Sequence, residues 1–138
     1  MLTDYELERY QRQIVLPEFG ANGQEKLRNA KVLVVGVGGL GSVASLYLTA
    51  AGIGTIGLME KDVVSLHNLV PYDTFLTAEN AKSVVADYDI VIDCTDNYTA
   101  RYLINDTCVA LGKPFVYGTI GDTKGQLAVF NYLPPCAN

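Results

Sequence analysis

A glycine-rich turn set between an apolar strand and an apolar helix fixes most of what this chain can fold into. Val32-Leu33-Val34-Val35 is an unbroken run of β-formers, the mark of a strand buried on both faces. It leads into Gly36-Val37-Gly38-Gly39-Leu40-Gly41. Val43, Leu46, Tyr47 and Ala50 then recur at helical spacing, Gly52 supplies a stop, and Thr55 to Met59 reads as a second strand. Residues 31 to 60 therefore form one strand–turn–helix–strand unit of about 30 residues, the length of a βαβ unit. Gly36, Gly38 and Gly41 satisfy the G-x-G-x-x-G spacing, with Gly39 as a fourth glycine. Such a turn lets backbone N–H groups approach a phosphate, and the helix start adds partial positive charge. Glu60 closes the second strand, where a carboxylate can accept hydrogen bonds from ribose hydroxyls. The same glycines also suit a turn needed only for strand–helix packing. The motif by itself leaves NAD, FAD and ATP open.

The rest of the chain repeats the alternation. Thr3-Asp4-Tyr5-Glu6 matches a capping box, so a short helix begins there and carries Arg9 to Gln13. Leu16 to Gly20 breaks it, and Gly23 to Asn29 reads as a second short polar helix. Ile90-Val91-Ile92 is another buried strand, ending in Asp93-Cys94-Thr95-Asp96-Asn97. In the helix that follows, Ala100, Leu103, Ile104, Thr107, Cys108 and Leu111 share one face; Gly112 closes it and Pro114 prevents continuation. Phe115 to Tyr117 and Leu127 to Tyr132 read as two further strands. These elements predict a single domain over residues 1–138. It is a three-layer, Rossmann-like α/β core (31–138) with a mainly parallel sheet, preceded by a short N-terminal helical segment (1–30). Val70 to Phe75 also reads as a strand despite Pro71, but only Glu60 to Leu69 separate it from the second strand. A parallel pair needs a crossover of a dozen or more residues. Either this strand is not a parallel neighbour, or residues are missing between Leu69 and Val70.

Composition narrows the function. The 138 residues carry a formal charge of -5, which argues against a nucleic-acid binder with a basic stripe. No apolar run approaches the roughly 20 residues of a membrane span. The N-terminus lacks the basic and apolar parts of a signal peptide. Three cysteines without CxxC spacing predict reduced thiols and a cytoplasmic location.

Four segments occur in a telling order: Arg9-Tyr10-Gln11-Arg12-Gln13, the glycine turn, Glu60-Lys61-Asp62-Val63-Val64-Ser65-Leu66-His67-Asn68-Leu69, and Asp93-Cys94-Thr95-Asp96-Asn97. Together they resemble the ThiF/MoeB/HesA adenylyltransferases, relatives of the ubiquitin-activating enzymes. The resemblance implies ATP-dependent adenylation of the C-terminal glycine carboxylate of a ubiquitin-like sulfur-carrier protein, with release of pyrophosphate. That step would serve sulfur transfer for thiamine or molybdopterin-type cofactors. It further implies Gly36, Gly38, Gly39 and Gly41 at the phosphates, Glu60 at the ribose, and Asp62 and Asn68 near the nucleotide. Asp96 would hold Mg²⁺, and Arg12 would reach the ATP site of the other subunit of a homodimer. Plainer roles exist for each: Asp96 as the cap of the next helix, Arg12 as a solvated helix residue, Asp62 as a turn residue. Arg101 is expected to be structural or on the surface. Cys94 and Cys108 are expected in the core. The competing functions are an NAD-dependent oxidoreductase, resting on the glycine turn and Glu60 alone, and a non-catalytic nucleotide-binding scaffold.

The chain departs from the family pattern in two places. Relatives continue after Asn-Leu with a basic segment, holding an Arg and a Lys directed at the ATP phosphates; here Leu69 meets Val70-Pro71-Tyr72 directly. About two dozen residues, including the crossover helix, are expected to be missing there. Relatives also continue into Pro-Cys-x-x-Cys, half of a four-cysteine zinc site. Cys136 alone cannot make one, and a longer native chain would be needed to complete it.

Overall fold

The computed structural model describes residues 1–60, 69–121 and 123–132. Six strands make one sheet: β1 (Lys31–Val35), β2 (Thr55–Glu60), β3 (Leu69–Asp73), β4 (Ile90–Asp93), β5 (Phe115–Gly121) and β6 (Lys124–Phe130). Their order is β3-β2-β1-β4-β5-β6. Every neighbouring pair is parallel except β5 with β6. The chain steps outward from β1 to β3, then returns to lay β4 on the other side of β1. That reversal opens a crevice at the carboxyl ends of β1 and β4, where open α/β sheets bind ligands.

The helices are α1 (Asp4–Arg9), α2 (Gln11–Ile14), α3 (Gly20–Asn29), α4 (Gly39–Ala51), α5 (Ala81–Ala86) and α6 (Tyr98–Leu111). Alternate residues of the central strands serve opposite faces. Leu33, Val35 and Val91 pack with Val85 of α5 and with Ile104 and Cys108 of α6. Val32, Val34, Ile56 and Leu58 pack with Leu48 of α4. The expected three layers are therefore present, with α4 on one face and α5 and α6 on the other. Each fully buried aliphatic side chain of these clusters contributes about 1.5–3 kcal/mol by leaving water.

Local structure follows the sequence closely in some elements and not in others. Thr3 caps α1 through the expected capping box with Glu6. The helix then breaks at Tyr10 instead of running to Gln13, and α3 starts at Gly20, three residues earlier than expected. In α6, Ile104, Thr107 and Cys108 are buried as the pattern requires, and Gly112 is the left-handed C-cap. In α4 the apolar stripe points the other way: Val43, Leu46 and Tyr47 are exposed, while Gly41 and Ser45 are buried against the sheet. The close approach of α4 to β1 at Gly41 leaves no room for a larger residue in the first turn, whereas Leu48 farther along the helix packs on the sheet. β3 covers Leu69–Asp73, so the expected strand ends two residues early, and it is a parallel neighbour of β2 with Glu60 opposite Asp73. The connection between them lies outside the described residues.

The N-terminal segment buries Leu2 and is fastened to the core by side-chain amides. Gln24 is fully buried. Its Nε2 and that of Gln13 both donate to the carbonyl of Ala51, at 3.1 and 3.0 Å, and Gln13 also donates to Gln24 Oε1. These bonds satisfy a carbonyl at the end of α4 that the helix itself leaves without a partner.

Candidate functional site

The glycine turn is built by three constraints. Gly36 has φ +86, a conformation that L side chains rarely adopt, and a Cβ there would lie 2.8 Å from the carbonyl oxygen of Cys94. Its N–H donates to Met59 O at 3.0 Å. Gly36 thus holds the ends of β1, β2 and β4 together. Gly41 sits beneath the turn: a Cβ would overlap the Gly36 carbonyl oxygen and lie 3.3 Å from Val34 Cγ1. By contrast, Gly38 and Gly39 have nothing within 4 Å of the position a Cβ would take. Both line an open cavity of about 620 Å³, a volume suited to a small-molecule ligand. α4 begins at Gly39, so its orphan N–H groups and the positive end of its dipole lie beside that cavity.

Glu60 enters from the end of β2. Its Oε2 accepts from the Val37 N–H at 2.9 Å, which ties the acid to the turn, and the residue lines the cavity. Leu40, Met59, Phe75 and Leu76 supply an apolar wall. From the end of β4, Cys94, Thr95, Asp96 and Asn97 complete the floor, with Thr119 and Ile120 of β5 beside them. The two charged residues lining the cavity are Glu60 and Asp96; no Lys or Arg lines it among the described residues.

Asp96 is not the cap of α6. Asn97 is, its Oδ1 accepting from the Ala100 N–H at 2.8 Å. The preceding loop is held by buried Asp93, whose Oδ1 accepts from Thr95 N at 2.9 Å and Thr95 Oγ1 at 2.7 Å. Burial raises the Cys94 thiol pKa, and the charge of Asp93 adds to the effect, so this cavity-lining thiol stays protonated and is a poor nucleophile.

The structure brings Gly36, Gly38, Gly39, Glu60 and Asp96 to one cavity and places Gly41 under it as a packing residue. Arg12 is exposed on α2 and does not line the cavity. Asp62, Asn68 and Cys136 lie outside the described residues. Sequence reasoning missed the apolar wall and Thr119. Both sit at or just past the carboxyl ends of parallel strands, a position that is itself a signal.

Comparison with known proteins agrees with this geometry. The sequence profile described as "ThiF family" matches residues 10–72 and 69–138. The chain is 46% identical to "Adenylyltransferase and sulfurtransferase uba4" of Neosartorya fischeri over 154 residues, covering 96% of this chain and 32% of that protein. It is 41% identical to "Adenylyltransferase and sulfurtransferase MOCS3" of Xenopus laevis, covering 95% of this chain and 36% of that one. The chain thus spans about a third of the length of these curated relatives. The fold is similar to that of Escherichia coli tRNA N6-threonylcarbamoyladenosine dehydratase, TcdA, solved in complex with ATP. There the TM-score is 0.79 at 23% identity, covering 90% of this chain and 64% of that one. The four ordered segments, the doubly wound sheet and the matched profile agree: the chain belongs to the ThiF family.

Proposed function

We propose that this chain is the adenylating unit of a protein that activates the C-terminal glycine carboxylate of a ubiquitin-like sulfur carrier with ATP. The observation that carries the reading is the arrangement of the cavity. Gly38 and Gly39, with open space around them, and a helix start line it together with the Glu60 carboxylate at the end of β2 and Asp96, which is not engaged as the cap of α6. The names of the relatives, adenylyltransferase and sulfurtransferase, support the same reaction class. In that reaction the carrier's carboxylate oxygen forms a bond to the α-phosphorus, the bond from that phosphorus to the bridging oxygen breaks, and pyrophosphate leaves. Catalysis then rests on positioning and charge stabilisation, with no protein nucleophile required. The apolar wall suits the adenine, Glu60 the ribose, and the Gly38 and Gly39 amides the phosphates.

Asp96 fits a divalent ion. No group of three or more His, Cys, Asp or Glu clusters among the described residues, so Mg²⁺ would rest on this one carboxylate and the nucleotide's phosphates, the usual economy of a Mg²⁺ site. Bound there, the ion would offset the charge between two approaching anions.

Several finer assignments belong to the same proposal: Asp62 and Asn68 at the nucleotide, Arg12 reaching the site of a second copy in a homodimer, and a cytoplasmic setting. The pathway served would be thiamine or molybdopterin-type sulfur transfer. A zinc site using Cys136 would need a longer chain. We also propose that a crossover segment is missing between Leu69 and Val70. The family profile matches in two pieces that meet there. The alignment to the N. fischeri protein spans 154 positions while taking in 96% of 138 residues, about 132. A native protein whose measured mass matches this uninterrupted sequence at the Leu69–Val70 junction would refute the missing segment.

The test of the function is ATP–pyrophosphate exchange with a panel of carriers ending in Gly-Gly. Exchange that depends on one carrier and vanishes in Asp96→Ala is expected. Absence of exchange with every carrier, together with thermal protection by NAD but not by Mg·ATP, would replace this reading with the oxidoreductase.

A further inference from the structure

Arg101 stands on the first turns of α6 and points back across the end of the sheet. Its Nη2 donates to the carbonyl of Thr95 and to Thr119 Oγ1, both at 2.7 Å. Nη1 donates to the Tyr117 hydroxyl at 3.2 Å. The guanidinium lies over the Tyr117 ring, 5.0 Å from its centroid, and 5.7 Å from that of Tyr98. Its Nε is buried and has no partner among the described residues. A surface arginine seldom gives up this much water for fixed partners; the planar fork suits bridging of two backbone segments.

The two residues it joins, Thr95 and Thr119, both line the cavity. Thr95 immediately precedes Asp96 and is already gripped from the other side by Asp93. Asp96 itself has no capping bond to hold it, because Asn97 performs that task. Its place therefore depends on the Asp93–Thr95–Arg101 chain and on the α6 start. The guanidinium is also a fixed positive charge behind a wall whose charged lining among the described residues, Glu60 and Asp96, is acidic.

We propose that Arg101 is the positioning residue that clamps the Asp96 loop to β5, setting the geometry in which Asp96 meets a metal-bound nucleotide. This rests on the nucleotide reading given above only for its last step; the clamp itself is a property of the free protein.

The experiment separates the two. In the free protein, amide hydrogen exchange at Thr95 is compared in wild type, Arg101→Met and Thr119→Val. Losing hydrogen bonds to a charged donor should speed local opening about ten- to a hundredfold in Arg101→Met, and less in Thr119→Val, which keeps the arginine. Exchange at Leu33 should not change. In the same proteins, binding of Mn·ATP is followed by the Mn²⁺ spin-resonance signal, and binding of ATP alone is measured in EDTA. Arg101→Met should weaken the metal complex about tenfold and leave metal-free ATP binding as it was; Arg101→Lys should recover part of the loss. Unchanged Thr95 exchange in both Arg101→Met and Thr119→Val would overturn the inference, and so would an equal loss with and without metal. Wild-type protein that ignores Mn·ATP would instead sink the nucleotide reading, and with it the last step of the proposal.

Discussion

Two glycines of one motif should fail in opposite ways. A Cβ at Gly41 would overlap the Gly36 carbonyl oxygen and stand 2.9 Å from its carbon. That obstacle is backbone, and it is pinned: the Gly36 N–H is bonded to Met59 O, and the residue is wedged against Cys94. Relief in Gly41→Ala requires α4 to lift from β1, which opens the Val32–Val34–Ile56–Leu58 cluster. Overpacking of a tight core costs about 1–3 kcal/mol, and a rigid obstacle puts this site at the upper end. For a domain of this length about 3 kcal/mol lowers Tm by about 10 °C. Gly39→Ala meets nothing within 4 Å and replaces a glycine in the first turn of a helix, so its stability should hold or rise by up to about 1 kcal/mol. The new methyl group projects where the phosphates are proposed to lie, so Mg·ATP affinity should fall about tenfold or more. Urea and thermal unfolding give the first quantity and calorimetric titration the second. A Gly41→Ala protein as stable as wild type, or a Gly39→Ala protein that binds ATP normally, would refute the division of labour.

Further expectations follow from the same contacts. Asp96→Ala should keep the wild-type Tm because it removes no cap, whereas Asn97→Ala should cost about 1 kcal/mol; equal Tm values for the two would contradict the capping geometry. Ile104→Ala empties a fully buried position and should cost about 2–5 kcal/mol, read from the urea midpoint. Burial, with the nearby Asp93 charge, pushes the Cys108 thiol up to about 11, from an ordinary value of 9.0. The folded state therefore holds this proton more tightly than the unfolded chain. Its contribution to stability is complete below about pH 9 and declines as pH rises towards 11. Urea midpoints should fall less steeply over that window in Cys108→Ala than in wild type, and parallel slopes would refute the assignment.

Much of this was legible because local chemistry and tertiary demand agreed. The Val32–Val35 run, the turn after it, the Thr3–Glu6 box and the α6 face each carry their own signal. What was hidden depends on contacts distant in sequence. The outward stripe of α4 could not be read from its period, since Val43, Leu46 and Tyr47 have the same spacing whichever face the sheet takes; only the closeness of Gly41 to Gly36 decides it. Buried Gln24 looks like a surface residue until Gln13 and the Ala51 carbonyl are brought to it. α5 is six residues long, too short to build a periodic pattern. Arg101 reads as structural or surface; the structural role holds, but its partners Tyr117 and Thr119 could not be named because they lie on a strand beyond the helix.

The most direct test of the account is the response of backbone amides in the ¹⁵N-labelled protein to titrated Mg·ATP. Saturable shifts at Gly38, Gly39 and Asp96, weakened when the metal is withheld and absent with NAD, are predicted. Amides there that stay still under Mg·ATP, or that move with NAD instead, would contradict it.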